Sequence, residues 1–133
     1  MITALGAIER VRAALLGRRF PLEDEKQTQA AIAAALDSAG IRALREVPMC
    51  TPRKVLGVID FLAAVPCGGQ SDYRIGIEVK IKGTQADIRR QIARYAADPV
   101  LAGLVLATSK PVALPSMLGD IPVAVVDLGR AWL

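Results

Sequence analysis

Residues 54–81 read KVLGVIDFLAAVPCGGQSDYRIGIEVKI, and the fold turns on how this stretch divides. Two runs rich in Val, Ile and Phe, residues 54–65 and 72–81, flank the turn-forming segment PCGGQS. That segment is too short for the crossover that parallel neighbours need, so the spacing predicts an antiparallel hairpin. A turn centred on Gly69 sets Asp60 across from Glu78, give or take a slip of register. Along the second run Ile75, Ile77, Val79 and Ile81 share one face while Glu78 and Lys80 share the other. The expectation is one packed face and one charged face. Asp60, set among Val58, Ile59, Phe61 and Leu62, must have a partner there.

Working outward, Leu5, Ile8, Val11 or Arg12, and Leu15 recur at helical spacing and predict a helix over 3–16, ended near Gly17. Pro21 suits a first helical turn, Glu23, Asp24 and Glu25 suit its positive end, and Gly40 sits where a C′ glycine belongs. These mark a second helix over 22–39. IRALREVPM (41–49) reads as the strand before the hairpin. After it, Thr84 offers a cap with Asp87 three residues on, and Asp98-Pro99 stops a third helix over 85–97. LAGLVLATS (101–109) and IPVAVVDL (121–128) are short, apolar and bounded by Pro and Gly, as buried strands are. The expected order is α-α-β-β-β-α-β-β, an α/β chain.

A length of 133 residues bounds one compact domain, 1–133, and 53% hydrophobic content with only 4% aromatic means an aliphatic core. Cys50 and Cys67 are too few for a disulfide framework and fit two thiols in a reducing cytoplasm. With no histidine, Ser-His-Asp and Cys-His nucleophile systems are excluded, and a base or metal site must use carboxylates, Lys or Tyr. The longest apolar run, VLGVIDFLAAV, is cut by Asp60, so no membrane span is expected. Glu9, Arg10 and Arg12 inside the first periodic stretch argue against a signal peptide. The net charge of +4 suggests a polyanionic partner. Residues 74–94 hold Arg74, Lys80, Lys82, Arg89, Arg90 and Arg94 against Glu78 and Asp87, an excess equal to the whole chain's +4. A solvated basic face is the plainer reading of the same cluster.

Two carboxylates opposed on neighbouring strands, with Cβ atoms about 5 Å apart, are destabilising unless something positive lies between them. A divalent cation satisfies both, and Mg²⁺ is typically held by one or two carboxylates plus waters and substrate phosphates. The simpler alternative is neutralisation by Lys80 or an arginine. Leu22, Glu25, Gln29, Ile32 and Leu36 form one helical stripe, so Glu25 faces inward with the apolar side, although an acid in a first turn also has a capping role. Gln91 and Tyr95, four apart, project from one face of the third helix.

Asp60, followed on the next strand by Glu78-Val79-Lys80, resembles the active-site signature of the PD-(D/E)XK nuclease superfamily, and the Gln91/Tyr95 pair is similar to the QxxxY element of its RecB-like members. Ile59 stands where the family name has proline. The resemblance implies a restriction-endonuclease-like αβββαβ core over 22–127, a mixed central sheet flanked by helices, with residues 1–20 as an N-terminal helical extension. It implies that Asp60, Glu78 and the Val79 carbonyl ligate Mg²⁺, or Mn²⁺ in its place, joined by Glu25. Lys80 would serve as the catalytic lysine, with Gln91 supporting at the metal or a phosphate. Tyr95 would meet a base or sugar, or else pack half-buried against the sheet. Arg89, Arg90 and Arg94 would track phosphates, extended by Lys82, Arg53 and Lys54. No base-reading motif stands out, so structure- or end-directed hydrolysis of nucleic acid, with DNA the expected substrate, fits better than sequence-specific cutting. A homodimer would supply further substrate surface. The rivals are a non-catalytic nucleic-acid-binding or assembly module that keeps the fold, and a protein-interaction domain with a salt-bridged sheet.

Overall fold

The hairpin forms with the expected register, and the sheet grows from it in both directions. The computed structural model describes residues 2–69 and 71–129, so Gln70 of the expected turn and residues 130–133 of the expected 1–133 domain lie outside the described residues. The chain runs α1 (Ala4–Leu15), α2 (Glu25–Ser38), β1 (Arg42–Cys50), β2 (Val55–Val65), β3 (Tyr73–Lys80), α3 (Gln85–Tyr95), β4 (Gly103–Thr108), β5 (Met117–Leu118) and β6 (Ile121–Asp127). The six strands form one open mixed sheet in the order β1-β2-β3-β4-β6-β5. The β1–β2–β3 pairs are antiparallel, β3–β4 and β4–β6 are parallel, and β5 pairs antiparallel with β6. The parallel β3–β4 pair requires a crossover between them, and α3 is that crossover. The short β5, only Met-Leu, was too brief to carry a period and is an addition to the expected order.

Each helix is capped by a side chain that relieves its first orphan N–H groups. Thr3 accepts from Gly6 N, Asp24 from Lys26 N and Thr84 from Asp87 N. The second helix therefore starts at Glu25, not at residue 22. Asp24 is its cap, and the Pro21 carbonyl lies before it, accepting from the Thr28 hydroxyl.

Two apolar layers cover the sheet. Ala7, Ile8, Val11 and Leu15 of α1 and Ile32, Ala35 and Leu36 of α2 pack with Phe61, Ile75, Ile77 and Val79. Ile88, Ile92 and Tyr95 of α3 pack with Ile59, Leu62, Leu104 and Leu106. The expected half-charged β3 is therefore wrong in one respect: α3 covers its second face, and Gly76 and Glu78 are buried like Ile75, Ile77 and Val79. On that face Gly76 and Glu78 are buried, while Arg74 and Lys80 at its ends stay partly exposed.

Within this frame the β1–β2 ribbon turns over once. Residues two apart on a regular strand share a face, yet Phe61 belongs to the α1/α2 layer and Ile59 to the α3 layer. The pairing keeps one register through the change, Arg45 opposite Phe61 and Val47 opposite Ile59. Between these pairs lies Glu46, the one non-glycine residue of positive φ (54°) among the described residues, and opposite it Asp60. A left-handed conformation at a residue with a Cβ costs about 1–2 kcal/mol. The turnover is local and sits at Asp60.

Two glycines let the α3 layer close. A Cβ on Gly57, whose φ is +146°, would lie 2.9 Å from Tyr95 Cε1, and one on Gly76 would lie 2.6 Å from Ile59 Cδ1 and 2.9 Å from Leu104 Cδ2. Gly76→Ala overfills a packed layer and should lower stability by about 1–3 kcal/mol. Urea unfolding should show a lower midpoint with an unchanged slope. An unchanged midpoint would mean that the layer is loose.

Candidate active site

The β2–β3 ladder runs from Val65↔Tyr73 to Phe61↔Ile77 and ends one step before Asp60 and Glu78. Past that point the strands exchange side chains in place of backbone partners. Asp60 N donates to Glu78 Oε1 at 3.1 Å, and Val79 N donates to Asp60 Oδ2 at 2.7 Å. Each carboxylate satisfies an amide that an open ladder end would otherwise leave buried and unpaired. The expected pairing of Asp60 with Glu78 is thus present, held by reciprocal bonds rather than by the regular ladder.

Both acids retain acceptor capacity. Asp60 Oδ1 accepts from Gln29 Nε2 of α2 at 3.1 Å, and Glu78 Oε2 stands 3.7 Å from Lys80 Nζ. Glu78 is only 2% exposed. Burial first, and the neighbouring Asp60 charge second, push its pKa from 4.5 up to about 8, and the Lys80 ammonium offsets this only in part. A carboxyl in this setting binds either a proton or a cation. Lys80 reaches it because residues two apart on β3 share a face, and its side chain remains 26% exposed. The Lys80 carbonyl accepts from the hydroxyl of Thr108, a fully buried polar residue at the end of apolar β4.

Glu25 lies on the α2 face that meets β3, as its stripe predicts, and its Oε1 accepts from Ile81 N at 3.4 Å. It is not gathered with the other two: among the described residues no group of three or more His, Cys, Asp or Glu could hold a metal ion. The donor set the structure brings together is Asp60 and Glu78, with Lys80 beside them. Two carboxylates fit Mg²⁺, which keeps several waters and binds substrate oxygens. The burial of like charges without full compensation fits a cation as well.

Gln91 and Tyr95 do share a face, but it is turned inward. Tyr95 is 0% exposed, and its hydroxyl donates to the Val58 carbonyl at 2.9 Å while accepting from Gln91 Nε2 at 2.8 Å. Burial first, then the Glu78 charge, push its pKa up to about 12. The expected contact of Tyr95 with a base or sugar is therefore corrected. The ring fills the space left by the missing Cβ of Gly57 and secures the strand just before Asp60. Gln91 is committed to that ring, not aimed at the carboxylates.

The basic residues expected to track phosphates lie outside this cluster. Arg53 and Lys54, in the β1–β2 turn, are exposed, as are Lys82 and Arg94. Arg89 donates Nε to the Ala113 carbonyl at 3.2 Å and Nη2 to Gln85 Oε1 at 3.1 Å, which ties α3 to the loop after β4. Arg90 pairs with Asp87 on its own helix. Gln29 and Thr108 are the site residues the sequence reading did not assign. Gln29 stood in the same stripe as Glu25, and Thr108 was a lone hydroxyl ending an apolar run.

Among the described residues no helix is long and apolar enough to cross a membrane. Comparison of the chain with protein-family models, with curated proteins and with solved structures returned no match.

The Glu78 shift has a definite consequence for stability. The native state binds more protons than the unfolded chain between the ordinary 4.5 and about 8. The resulting stabilisation is complete below the lower value and is lost as pH rises through the upper one. In chelator, the free energy of unfolding should fall between pH 5 and pH 8, by up to roughly 1.4 kcal/mol per pH unit. Glu78→Gln keeps an acceptor for Asp60 N–H and should flatten the slope. Denaturant titrations of both proteins at the two pH values decide it, and a wild type whose stability rises with pH would contradict the burial of this charge.

Proposed function

We propose that the chain is a metal-dependent nuclease built on a restriction-endonuclease-like core. The observation that carries this reading is the carboxylate pair Asp60/Glu78, fixed at the open end of a hairpin with Lys80 at 3.7 Å from Glu78. The order from α2 onward, one helix, three antiparallel strands, a helix and a parallel strand, supports it, since it follows the αβββαβ pattern of the PD-(D/E)XK superfamily that Asp60 and Glu78-Val79-Lys80 resemble.

In this reading Asp60 and Glu78 hold Mg²⁺, or Mn²⁺ in its place, with the Val79 carbonyl as a further oxygen ligand. A metal so held acidifies water and offsets charge building on a phosphate. Lys80 places a positive charge beside the scissile phosphate and orients the attacking water. Glu25, bound to the Ile81 amide, fixes the start of α2 against the end of β3. Gln91 holds Tyr95, and through it the backbone two residues before Asp60. Lys82, Arg94, Arg53 and Lys54 are exposed and suited to phosphates, and the outer faces of Arg89 and Arg90 can join them. The substrate is then nucleic acid, with DNA the expected class, cut by structure or from ends. A homodimer would enlarge the surface that meets it.

One observation favours a second reading, a non-catalytic nucleic-acid-binding or assembly module: the reciprocal bonds of Asp60 and Glu78 also satisfy buried backbone groups with no cation at all. Catalysis separates the two. Asp60→Ala, Glu78→Ala and Lys80→Ala should each abolish cleavage in Mg²⁺ across linear, branched, nicked and single-stranded substrates, while binding in Ca²⁺ persists. No cleavage by the wild type on any substrate would leave the binding module, and full activity in any one variant would overturn the catalytic assignment of that residue.

A further inference from the structure

We infer that Arg45 and Gln29 form a relay that orients Asp60 for cation binding, so that both are positioning residues of the site; this rests on the nuclease reading above. Asp60 has two oxygens to place. Val79 N takes Oδ2, and on that bond alone the carboxylate can still swing about its own axis. Gln29 Nε2 takes Oδ1 at 3.1 Å and removes that freedom.

A glutamine can serve this purpose only if its amide is held the right way round, nitrogen toward the acid. Arg45 imposes that orientation: its Nη2 donates to Gln29 Oε1 at 3.4 Å, and since a guanidinium only donates, the oxygen must face it. Arg45 is held in turn. Its guanidinium lies 5.1 Å from the centroid of the Phe61 ring, and Phe61 is 1% exposed, locked in the ladder opposite both Arg45 and Ile77. The sequence of contacts is buried ring, guanidinium, amide, carboxylate. It starts at the last regular pair of the hairpin and ends on the first residue beyond it.

The placement argues against mere filling. Gln29 is half-buried, and Arg45 is exposed and, with Phe61, lines a hollow of about 350 Å³ between α2 and β1. An apolar residue at 29 would suit the stripe of Ile32 and Leu36 equally well for packing. The amide supplies something else: a donor that fixes Asp60 without placing a full positive charge where a cation must enter. Arg45 acts at one remove, its charge separated from Asp60 by the Gln29 side chain.

Outer partners of metal ligands typically account for 10–100-fold in metal affinity or activity. The test uses Gln29→Met, which keeps length and helix propensity but cannot donate, and Arg45→Met with Arg45→Lys as the charge-conserving control. The readouts are Mn²⁺ association measured calorimetrically without nucleic acid, kcat and KM for cleavage, and the melting temperature in chelator. Gln29→Met should weaken Mn²⁺ binding and lower kcat by about tenfold or more, with KM within about threefold. Arg45→Met should do the same to a smaller degree, and Arg45→Lys should recover part of the loss. Should both Met variants bind Mn²⁺ and turn over within twofold of wild type, or lose only melting temperature, the relay is wrong. If Gln29→Met fails to fold, the exposed Arg45 variants alone decide. Asp60→Ala is the reference: retained Mn²⁺ binding there would remove the nuclease reading itself, a failure distinct from that of the relay.

Discussion

Asp60 and Glu78 each accept a hydrogen bond from the backbone of the other's strand, and the rest of the site follows from that exchange. The regular ladder ends at Phe61↔Ile77, and beyond it these two amides take side-chain acceptors from the opposite strand. Where it stops, the two carboxylates meet between the strands, Glu78 buried and Asp60 half-buried. The turnover of the β1–β2 ribbon, with Glu46 at positive φ, lies at the same level and carries Ile59 to the α3 layer while Phe61 stays with α1 and α2. The two cores clamp the strand on either side of one acid.

Clamping an acid this way is costly, and the molecule keeps the cost visible. Glu78 is buried beside a like charge, with one ammonium at 3.7 Å as partial relief. Placing hydrophobic groups at both positions would remove the repulsion. That the chain instead devotes Gln29, Lys80 and two strands of backbone to holding the acids in place is the physical case for a site. Local strain and uncompensated charge are the usual companions of binding groups that must await a ligand.

Much of this was legible before any coordinates. The brevity of PCGGQS required a hairpin, and a turn at Gly69 required Asp60 near Glu78, because strand pairing is a matter of counting once the turn is placed. The stripe through Glu25 and Gln29 pointed α2 at the site for a similar reason: helical period places residues on faces without knowledge of the partner. What counting could not supply was which face of β3 would be covered. Glu78 and Lys80 read as a charged face, and it is Ile59, Leu101 and Leu104, closing over Gly76, that bury the middle of it. Tyr95 stood between a substrate contact and a place against the sheet for the same reason, and the missing Cβ of Gly57 gives it room for the second. The start of α2 moved because Asp24 outcompetes Pro21 as the boundary, a contest between two good signals three residues apart.

The central claim is that the Asp60/Glu78 pair is a cation site and not only a repair of an open ladder. The most direct measurement is the melting temperature of the wild-type chain in chelator and in excess Mg²⁺, at pH 5 and at pH 8. A cation bound only to the folded state stabilises it by mass action, and protons compete for the same oxygens at low pH. Mg²⁺ should therefore raise the melting temperature at pH 8 and raise it less at pH 5. A chain that melts at the same temperature with and without Mg²⁺ at both pH values would show that the two carboxylates serve the backbone alone.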